Sequence, residues 1–459
     1  MAAESSLPTL FSSLLLPSAS QSFSSTLSSL KRSTLSTSNR LHSIYQDSVF
    51  VQDVACNLNL PILANERCGS WYVEHKAGSA YFKSTDGHWG QWTFSKRRLN
   101  LQILNTIGIY GGCIIVDSTR RGKSMPDALS KTIPIWCAVI NRLLFAEIPD
   151  IYKLSTPEEV VGASEHTQIE ALLDGFVKSV ENLGLDLFSL RSVLKKPVRP
   201  MWITPESAST HKSLSSTDYH TIICCTASRR VAGAEMTEDG YIQGAGDDSE
   251  GWSHGLTPDL FWRHRDQLLT AVEQELPDLI QNLISTDQSN GLAPSDTVKL
   301  GPTSLYIGTL SSVAQADLYD AIIICNRALP SKLDRETEED KGARTLDLQC
   351  GHGKLGSRAL RSQFPRIPPF IASLADHGSP PKILFVCSTG KDLSVGIALA
   401  VLCLFFDDSY DFSCRVTNMP IDKTLVRRHL ALITTAKPTA NPSRSTLQML
   451  YGKNQWAQE

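Results

Sequence analysis

The sequence lacks the marks of a membrane protein, a disulfide-stabilised protein or a strongly basic nucleic-acid binder. None of its apolar runs reaches the roughly 20 residues that a membrane-spanning helix requires. Its 11 cysteines include no CxxC pair, which argues against a zinc site or a disulfide framework. The net charge is only -3, and the first 30 residues contain no lysine or arginine, so no targeting signal is predicted. We therefore expect a cytoplasmic protein with reduced thiols and no membrane partner.

Length and hydrophobic pattern predict an α/β protein of two domains. A chain of 459 residues is long enough for two or three cores. We predict a disordered Ser-rich tail over 1–38, an N-terminal α/β domain over 39–295 and a C-terminal α/β domain over 296–459, with a polar linker at 285–296 and a charged exposed loop at 335–341. Strands alternating with helices indicate parallel sheets, whose ligands bind at the carboxyl ends of the strands. The predicted strands are 71–73, 80–82, 113–116, 221–225, 304–308, 321–325 and 382–387.

Three of these strands end in polar segments of similar chemistry, at 117–123, 226–230 and 387–394. Each places hydroxyl and basic groups directly after a buried apolar run. Convergent backbone N–H groups and the start of a following helix make such a turn an anion site. The third segment is the best formed, because a helix is predicted to begin at Ser394. Each of these could instead be an ordinary polar loop.

Basic residues are clustered although the net charge is low, and a solvated surface is the alternative reading of each cluster. Most clusters lie beside a strand end or a turn, which predicts a surface that faces phosphates. The clusters are Lys96-Arg97-Arg98, Arg120-Arg121 with Lys123, Lys195-Lys196 with Arg199, Arg229-Arg230, and Arg427-Arg428.

The C-terminal 160 residues resemble a protein tyrosine or dual-specificity phosphatase, because an apolar strand, Cys387, five residues and a helix follow in order. The departures from that pattern concern catalysis. Leu393 stands where the phosphate-clamping arginine is expected, Val386 replaces the usual histidine, and no general acid is evident at 348–354. Without these groups, phosphate hydrolysis is not expected. The resemblance implies a loop that holds phosphate, in which Cys387 is either a ligand-binding residue or only a small buried one.

The N-terminal half contains several long motifs: YFKSTDGH from Tyr81, FSKRRLN from Phe94, IIVDSTRRGK from Ile114, YIQGAGDD from Tyr241 with Trp252, and GLTP from Gly255. Together with the phosphatase-like end, they closely resemble the fungal and plant initiator-tRNA ribosyl-phosphate transferases, over nearly everything after residue 38. This resemblance implies transfer of ribosyl 5-phosphate from phosphoribosyl pyrophosphate to the 2′-hydroxyl of a T-stem purine, position 64, of initiator methionine tRNA, which excludes that tRNA from elongation. The alternative is an inactive phosphatase-like module that binds phosphorylated RNA or protein.

Such a reaction requires sites for a phosphate, a Mg²⁺-pyrophosphate group, a base and an RNA duplex. We expect Mg²⁺ and phosphoribosyl pyrophosphate to be bound, and no obligate protein partner. Asp247-Asp248, His88 and His254 are further candidates, and an exposed acidic turn is the alternative for the aspartates. The predicted catalytic and metal-binding residues are Asp117 and Asp392, and an ion-paired strand exit is the alternative for Asp117. The predicted phosphate-binding residues are Arg120, Arg121, Lys123, Cys387, Ser388, Thr389, Gly390, Lys391 and Ser394. The predicted tRNA-binding residues are Arg97, Arg98, Arg229 and Arg230.

Overall fold

Each half of the chain forms an α/β unit, in which helices pack against a five-stranded sheet. The computed structural model describes residues 35–148, 153–207, 218–232, 236–289, 297–326, 344–351, 353–374, 380–407, 409–413 and 421–451. Within these ranges, no helix combines the length and the apolar character required to cross a bilayer. The predicted charged loop at 335–341 lies outside the described residues.

The first sheet has five strands in the order β2-β1-β3-β5-β4, and every neighbouring pair is parallel. Its central strands are apolar on both faces, because helices cover the sheet from both sides. In β3, for example, Ile114 packs in one core and Ile115 in the other. The predicted α/β class with parallel sheets is confirmed. The strands are β1 (Ile62–Asn65), β2 (Gly78–Ala80), β3 (Gly112–Asp117), β4 (Val198–Ile203) and β5 (His220–Thr226).

The second sheet has the order β6-β7-β10-β8-β9, and only its edge strand β6 runs antiparallel. Its central strand β10 ends at Cys387, and the next helix begins at Leu393, one residue before the predicted start. This helix is buried along its whole length. The strands are β6 (Val298–Lys299), β7 (Leu305–Thr309), β8 (Ala321–Ile324), β9 (Arg344–Asp347) and β10 (Ile383–Cys387).

The helices that cover the two sheets are numbered in chain order. A five-residue π-helical turn, Ala128–Thr132, leads into α3. The helices are α1 (Thr37–Leu58), α2 (Gln102–Tyr110), α3 (Ile133–Leu144), α4 (Ala163–Glu170), α5 (Leu173–Glu181), α6 (Leu187–Leu194), α7 (Pro258–Arg263), α8 (Arg265–Thr270), α9 (Leu276–Ser289), α10 (Gly353–Gln363), α11 (Ile367–Ala372), α12 (Leu393–Phe405), α13 (Lys423–Ala436) and α14 (Arg444–Tyr451).

The predicted tail and linker are each shorter than the sequence suggested. Helix α1 begins at Thr37 and is capped by the Ser36 side chain, so it starts inside the predicted tail. The backbone N–H groups of Thr37 and Ser38 donate to the Glu273 carboxylate, which stabilises this first turn. Helix α9 likewise continues to Ser289, inside the predicted linker. Residues 1–34 and 290–296 lie outside the described residues.

The predicted strand at 71–73 is wrong, because Gly69–Tyr72 forms a 3₁₀ turn packed against β3. A Cβ atom at Gly69 would lie 2.1 Å from the carbonyl oxygen of Val116, so only glycine allows this contact. The turn carries the chain from the end of β1 across the end of β3. Strands β1 and β4 were not predicted, since β1 has only four residues and follows Pro61, while β4 contains Pro200.

Candidate active site and phosphate loop

Two of the three polar strand exits meet at the carboxyl edge of the first sheet. Strands β3 and β5 are parallel neighbours, and Asp117 lies opposite Thr226 in register. The Ser228 hydroxyl donates to the carbonyl oxygen of Thr119 at 2.9 Å and accepts from the Thr119 N–H group at 3.1 Å. The third exit belongs to the second sheet. The three polar segments therefore belong to two different sites, one at each sheet.

Asp117 is the centre of the N-terminal site and is fully buried. Its carboxylate accepts hydrogen bonds from Asn65 Nδ2 at 2.8 Å and from the Ser118 N–H group at 2.8 Å. Arg67 Nη2 lies 2.9 Å from Asp117 Oδ1, and the Cys68 thiol donates to the same oxygen. A carboxylate with this many donors is held in one orientation.

Asp247 is the second carboxylate of this site, and its neighbour Asp248 is not. Asp247 is 5% exposed, its Oδ1 lies 3.3 Å from Arg67 Nη2, and the Ser118 hydroxyl donates to it at 3.3 Å. Asp248 is exposed and forms an ion pair with Arg120. The two aspartates therefore do not form a metal pair. Burial raises the pKa of Asp247, although the charge of Arg67 opposes this shift.

Arg67 joins the two carboxylates and was missed in the sequence. Burial alone would lower the pKa of its guanidinium, but the charges of Asp117 and Asp247 raise it well above its usual value. The Cys68 thiol remains neutral, because burial raises its pKa. Arg67 follows β1, a strand that was not predicted; with that strand in place, its position at the sheet edge could have been inferred. Its side chain is 26% exposed, so the guanidinium is reachable from solvent.

The loop that brings Asp247 to the site is fixed by Gln243 and Gly244. The side chain of Gln243 accepts from the Gly122 N–H group at 3.0 Å and donates to the Lys123 carbonyl at 2.7 Å. Gly244 has a φ of +68°, and a Cβ atom there would lie 2.6 Å from the carbonyl oxygen of Thr119. This segment therefore holds the loop at 119–123, which carries the predicted phosphate ligands.

The three predicted cations of that loop lie on the segment that directly follows Asp117 and Ser118. Arg120 is half-buried and paired with Asp248, while Arg121 and Lys123 are exposed. Lys123 Nζ lies 3.4 Å from Asp127 Oδ2. Basic side chains beside convergent strand ends suit a phosphate-bearing ligand.

The four predicted tRNA-binding arginines divide into three exposed residues and one buried residue. Arg229 and Arg230 are exposed, and Arg230 Nε donates to the Gly122 carbonyl at 2.7 Å, so this pair borders the phosphate-binding loop. Arg97 is exposed at another place on the domain. Arg98 is 6% exposed, and its guanidinium donates to the C-terminal domain, so the prediction that it contacts tRNA is corrected.

The two histidine candidates lie on the surface. His88 Nε2 lies 3.8 Å from Asp127 Oδ2, which places it beside Lys123. His254 is exposed, has a φ of +52°, and its carbonyl accepts from Gln281. Neither imidazole forms a described hydrogen bond with the carboxylates of the site.

The third strand exit forms a loop whose hydrogen-bond donors converge on the Cys387 thiol. Burial alone would raise the pKa of this thiol, but hydrogen bonds from the Ser394 hydroxyl and from the N–H groups of Ser394 and Thr389 lower it. Donors that converge on one position and favour a negative charge there suit a phosphate equally well. Cys387 is therefore part of a built cradle, and the side chains of Ser388 and Lys391 are exposed beside it.

Asp392 fixes this loop to the rest of its domain. Its Oδ1 accepts from the Ser443 N–H group at 2.8 Å and from the Thr446 hydroxyl at 2.6 Å. Gly390, with a φ of +63°, makes the turn beside the carbonyl oxygen of Gly308, 3.1 Å from a Cβ atom placed there. These contacts give Asp392 a structural role, in contrast to the predicted catalytic one.

The residues predicted to bind magnesium do not form a magnesium site. Asp117 and Asp392 follow strands of different sheets, and each carboxylate already accepts hydrogen bonds from the protein. In the part of the chain that the structure describes, no group of three His, Cys, Asp or Glu residues could hold a metal ion. A dedicated protein site for Mg²⁺ therefore does not fit these side chains.

Comparison with known proteins gives matches in both halves of the chain. Residues 30–285 match the family model of the Rit1 N-terminal domain, and residues 344–452 match that of the Rit1 DUSP-like domain. An uncharacterized protein of Schizosaccharomyces pombe is 38% identical over 89% of this chain and 92% of its own length. The tRNA A64-2′-O-ribosylphosphate transferase of Saccharomyces cerevisiae is 35% identical over 91% of this chain and 92% of its own. The Yvh1 phosphatase domain of Chaetomium thermophilum is 21% identical over 34% of this chain and 93% of its own, with a TM-score of 0.24.

Proposed function

The chain belongs to the Rit1 family and is a transferase, and we propose that its N-terminal site transfers ribosyl 5-phosphate from phosphoribosyl pyrophosphate to tRNA. The acceptor would be the 2′-hydroxyl of the purine at position 64 in the T-stem of initiator methionine tRNA, and the product would be excluded from elongation. The observation that carries this proposal is the cluster of Arg67, Asp117 and Asp247, with cations around it, at the carboxyl edge of a parallel sheet.

The donor requires positive charge at two places, because it carries a 5-phosphate and a pyrophosphate. Arg67 offers the exposed part of its guanidinium inside the site. Arg120, Arg121 and Lys123 lie on the loop after Asp117, and Arg230 lies on an adjoining loop and contacts Gly122. These groups would bind the two anionic ends of the donor and stabilise the negative charge that develops on the departing pyrophosphate.

The acceptor requires a base, and Asp247 is the better candidate of the two carboxylates. In the proposed reaction the 2′-oxygen forms a bond to C1 of the donor ribose. The bond from C1 to pyrophosphate breaks, pyrophosphate leaves with the electron pair, and the hydroxyl proton passes to Asp247. The raised pKa of Asp247 favours this proton transfer. Asp117 would orient Arg67 instead of acting as the base.

Magnesium remains a proposal. Because the described side chains do not form a dedicated site, Mg²⁺ would enter as the complex with the donor, whose phosphate oxygens are suitable ligands. No step of the proposed mechanism depends on a protein-bound metal ion.

The C-terminal loop would hold phosphate without hydrolysing it. Leu393, at the position of the phosphatase arginine, is 4% exposed and packs in the core of its domain. The Ser394 hydroxyl and the N–H groups of Thr389 and Ser394 nevertheless converge on the Cys387 thiol. We propose that this loop binds a phosphate of the tRNA; a module that binds phosphorylated protein is the alternative for this domain. The two domains would suffice without an obligate protein partner.

Incubation with initiator methionine tRNA, phosphoribosyl pyrophosphate and Mg²⁺, followed by mass spectrometry of the RNA, tests this function. The tRNA should gain one ribosyl phosphate. A matched tRNA with a 2′-O-methyl group at position 64 should gain nothing, because its acceptor oxygen is blocked. Equal modification of both tRNAs would show that the ribosyl phosphate is attached at a position other than the 2′-oxygen of residue 64. If neither tRNA were modified, the transferase proposal would be refuted. Elongator methionine tRNA serves as the control for selectivity.

A further inference from the structure

Arg98 connects the two domains. Its Nη1 donates to the Pro438 carbonyl at 3.0 Å, and its Nη2 donates to Asn441 Oδ1 at 2.9 Å. The guanidinium carbon also lies 4.5 Å from the centre of the Tyr81 ring. A buried arginine that is satisfied by both domains fixes the residues before it at the domain boundary.

The phosphate loop of the C-terminal domain contacts Asn441, the same residue that accepts from Arg98. The Asn441 N–H group donates to the Lys391 carbonyl at 2.7 Å, while the side chain of the same asparagine accepts from Arg98. Asn441 therefore joins the basic run of the N-terminal domain, Lys96-Arg97-Arg98, to the loop that surrounds Cys387. Two basic segments distant in sequence are brought to one place.

Helix α13 adds a third basic segment at the same boundary. Ala431 of α13 packs in a core cluster with Leu99 and Ile135 of the N-terminal domain. Arg427 lies one helical turn before Ala431, on the same face of the helix. Burial lowers the pKa of Lys96, and the charge of Arg427 lowers it further, so the two cations face each other across the boundary.

Within the described ranges, these cations have no acidic partner in an ion pair. Among the described residues, no carboxylate forms an ion pair with Lys96, Arg97, Arg427 or Lys391, and the nearby carboxylate of Asp392 is engaged by its own domain. Like charges that two domains bring together repel each other, and an anion between them removes that cost. The boundary is thus built to receive negative charge.

We propose that Lys96, Arg97, Lys391 and Arg427, here called the seam cluster, bind successive backbone phosphates of RNA across the domain boundary. A polyanion fits better than a single phosphate, because the charges come from three segments of two domains. The proposal deepens the proposed function, on which it rests for the choice of RNA. The seam cluster would hold the tRNA while the acceptor hydroxyl is in the N-terminal site.

Binding of unmodified initiator tRNA without donor, measured at several salt concentrations, tests the seam cluster. The double variant K96Q/R427Q should bind about tenfold more weakly or worse at physiological salt. The magnitude of the slope of log K against log salt should fall by about 1.4 to 1.8, since each of the two lost phosphate contacts contributes roughly 0.7 to 0.9. The double variant R97Q/K391Q should show the same loss of affinity and the same change in slope as K96Q/R427Q. The control K299Q/K382Q removes two exposed lysines at the amino edge of the second sheet, opposite to the Cys387 loop, and should change binding less than about twofold.

The outcomes separate this proposal from the proposed function. Unchanged affinity and slope in both seam variants, with wild-type thermal unfolding, would overturn the seam cluster. Weaker binding of a phosphoserine peptide with unchanged tRNA binding would also overturn it, because the occupant would then be a protein. RNA binding is measured without donor, so a wild-type protein that transfers nothing can still confirm the seam cluster. If K96Q/R427Q transferred ribosyl phosphate with an unchanged KM for tRNA, the seam-cluster proposal would be refuted and the proposed function would stand.

Discussion

Arg67 Nη2 and Asp117 Oδ1 lie 2.9 Å apart at the ends of two neighbouring parallel strands, and Asp117 is fully buried. Asp247 approaches the same guanidinium from a distant loop. The N-terminal site is therefore organised around one arginine shared by two carboxylates. Because two carboxylates face one guanidinium, this cluster itself offers no excess positive charge, and the exposed cations Arg121, Lys123 and Arg230 on the adjoining loops must supply it for an anionic donor.

Arg67→Lys should lose transfer activity, because an ammonium group cannot reach both carboxylates with fixed planar geometry. We expect a fall in kcat/KM of about 100-fold or more, the usual cost of removing a group that stabilises transition-state charge. Arg67→Ala should also be destabilised by about 3 to 5 kcal/mol, because it leaves Asp117 buried without its partner. Transfer assays and denaturant unfolding measure the two effects.

Arg265→Lys is the matched control for this substitution. Arg265 is also an arginine paired with carboxylates, Glu74 and Asp266, but on the surface. Its lysine variant should keep wild-type transfer and stability within about 1 kcal/mol. If Arg67→Lys resembled this control in activity, Arg67 would not contact the donor.

Asp247→Asn should abolish transfer and should not lower stability at neutral pH. Burial raises the folded-state pKa of Asp247, so the ionised carboxylate costs stability above that pKa, and asparagine removes this cost. The Tm of the variant should equal or exceed that of the wild type near pH 7.5. The difference should disappear as the pH falls and the wild-type carboxylate takes up its proton.

The pH dependence of wild-type activity in the acid range should also reflect the ionisation of Asp247. A base must be ionised, so kcat/KM should fall as the pH falls through a pKa above the ordinary value of an aspartate. Asp248→Asn, at the exposed neighbouring position, should keep this pH profile. An unchanged acid limb in Asp247→Asn, with activity retained, would show that another group is the base.

Cys387→Ser should retain transfer activity, because the proposed reaction forms no bond to the thiol. Serine preserves a small polar side chain within the cradle formed by Ser394 and Thr389. Complete inactivity of a well-folded Cys387→Ser variant would assign a chemical role to the cysteine.

Lys391→Ala should raise the KM for tRNA several-fold, without a comparable change in the KM for the donor.

Gly69→Ala should destabilise the N-terminal domain, because a Cβ atom would lie 2.1 Å from the Val116 carbonyl oxygen. We expect a loss of about 1 to 3 kcal/mol, the usual cost of overpacking, and a loss of activity because Arg67 is displaced. Gly175→Ala is the control. Gly175 lies within α5 with open space around it, so alanine should stabilise by roughly 0.5 to 1 kcal/mol. Denaturant unfolding of both variants measures the contrast.

The sequence by itself determined the features that depend on local pattern. Continuous apolar runs with β-branched residues predicted β3, β5 and β10, because a strand covered on both faces must be apolar throughout. Polar residues after these strands predicted the anion sites, and the long motifs predicted the family. The same logic failed where an element is short or contains proline, as in β1 and β4.

The tertiary structure decided which side chains meet. Arg67 contacts residues 50 and 180 positions away, and Arg98 contacts Asn441, 343 positions away. Neighbours in sequence also diverge: Asp247 is buried and Asp248 exposed, while Arg98 is buried and Arg97 exposed. Local pattern does not contain this information, because the burial and charge of a polar side chain depend on the distant residues that the fold places beside it.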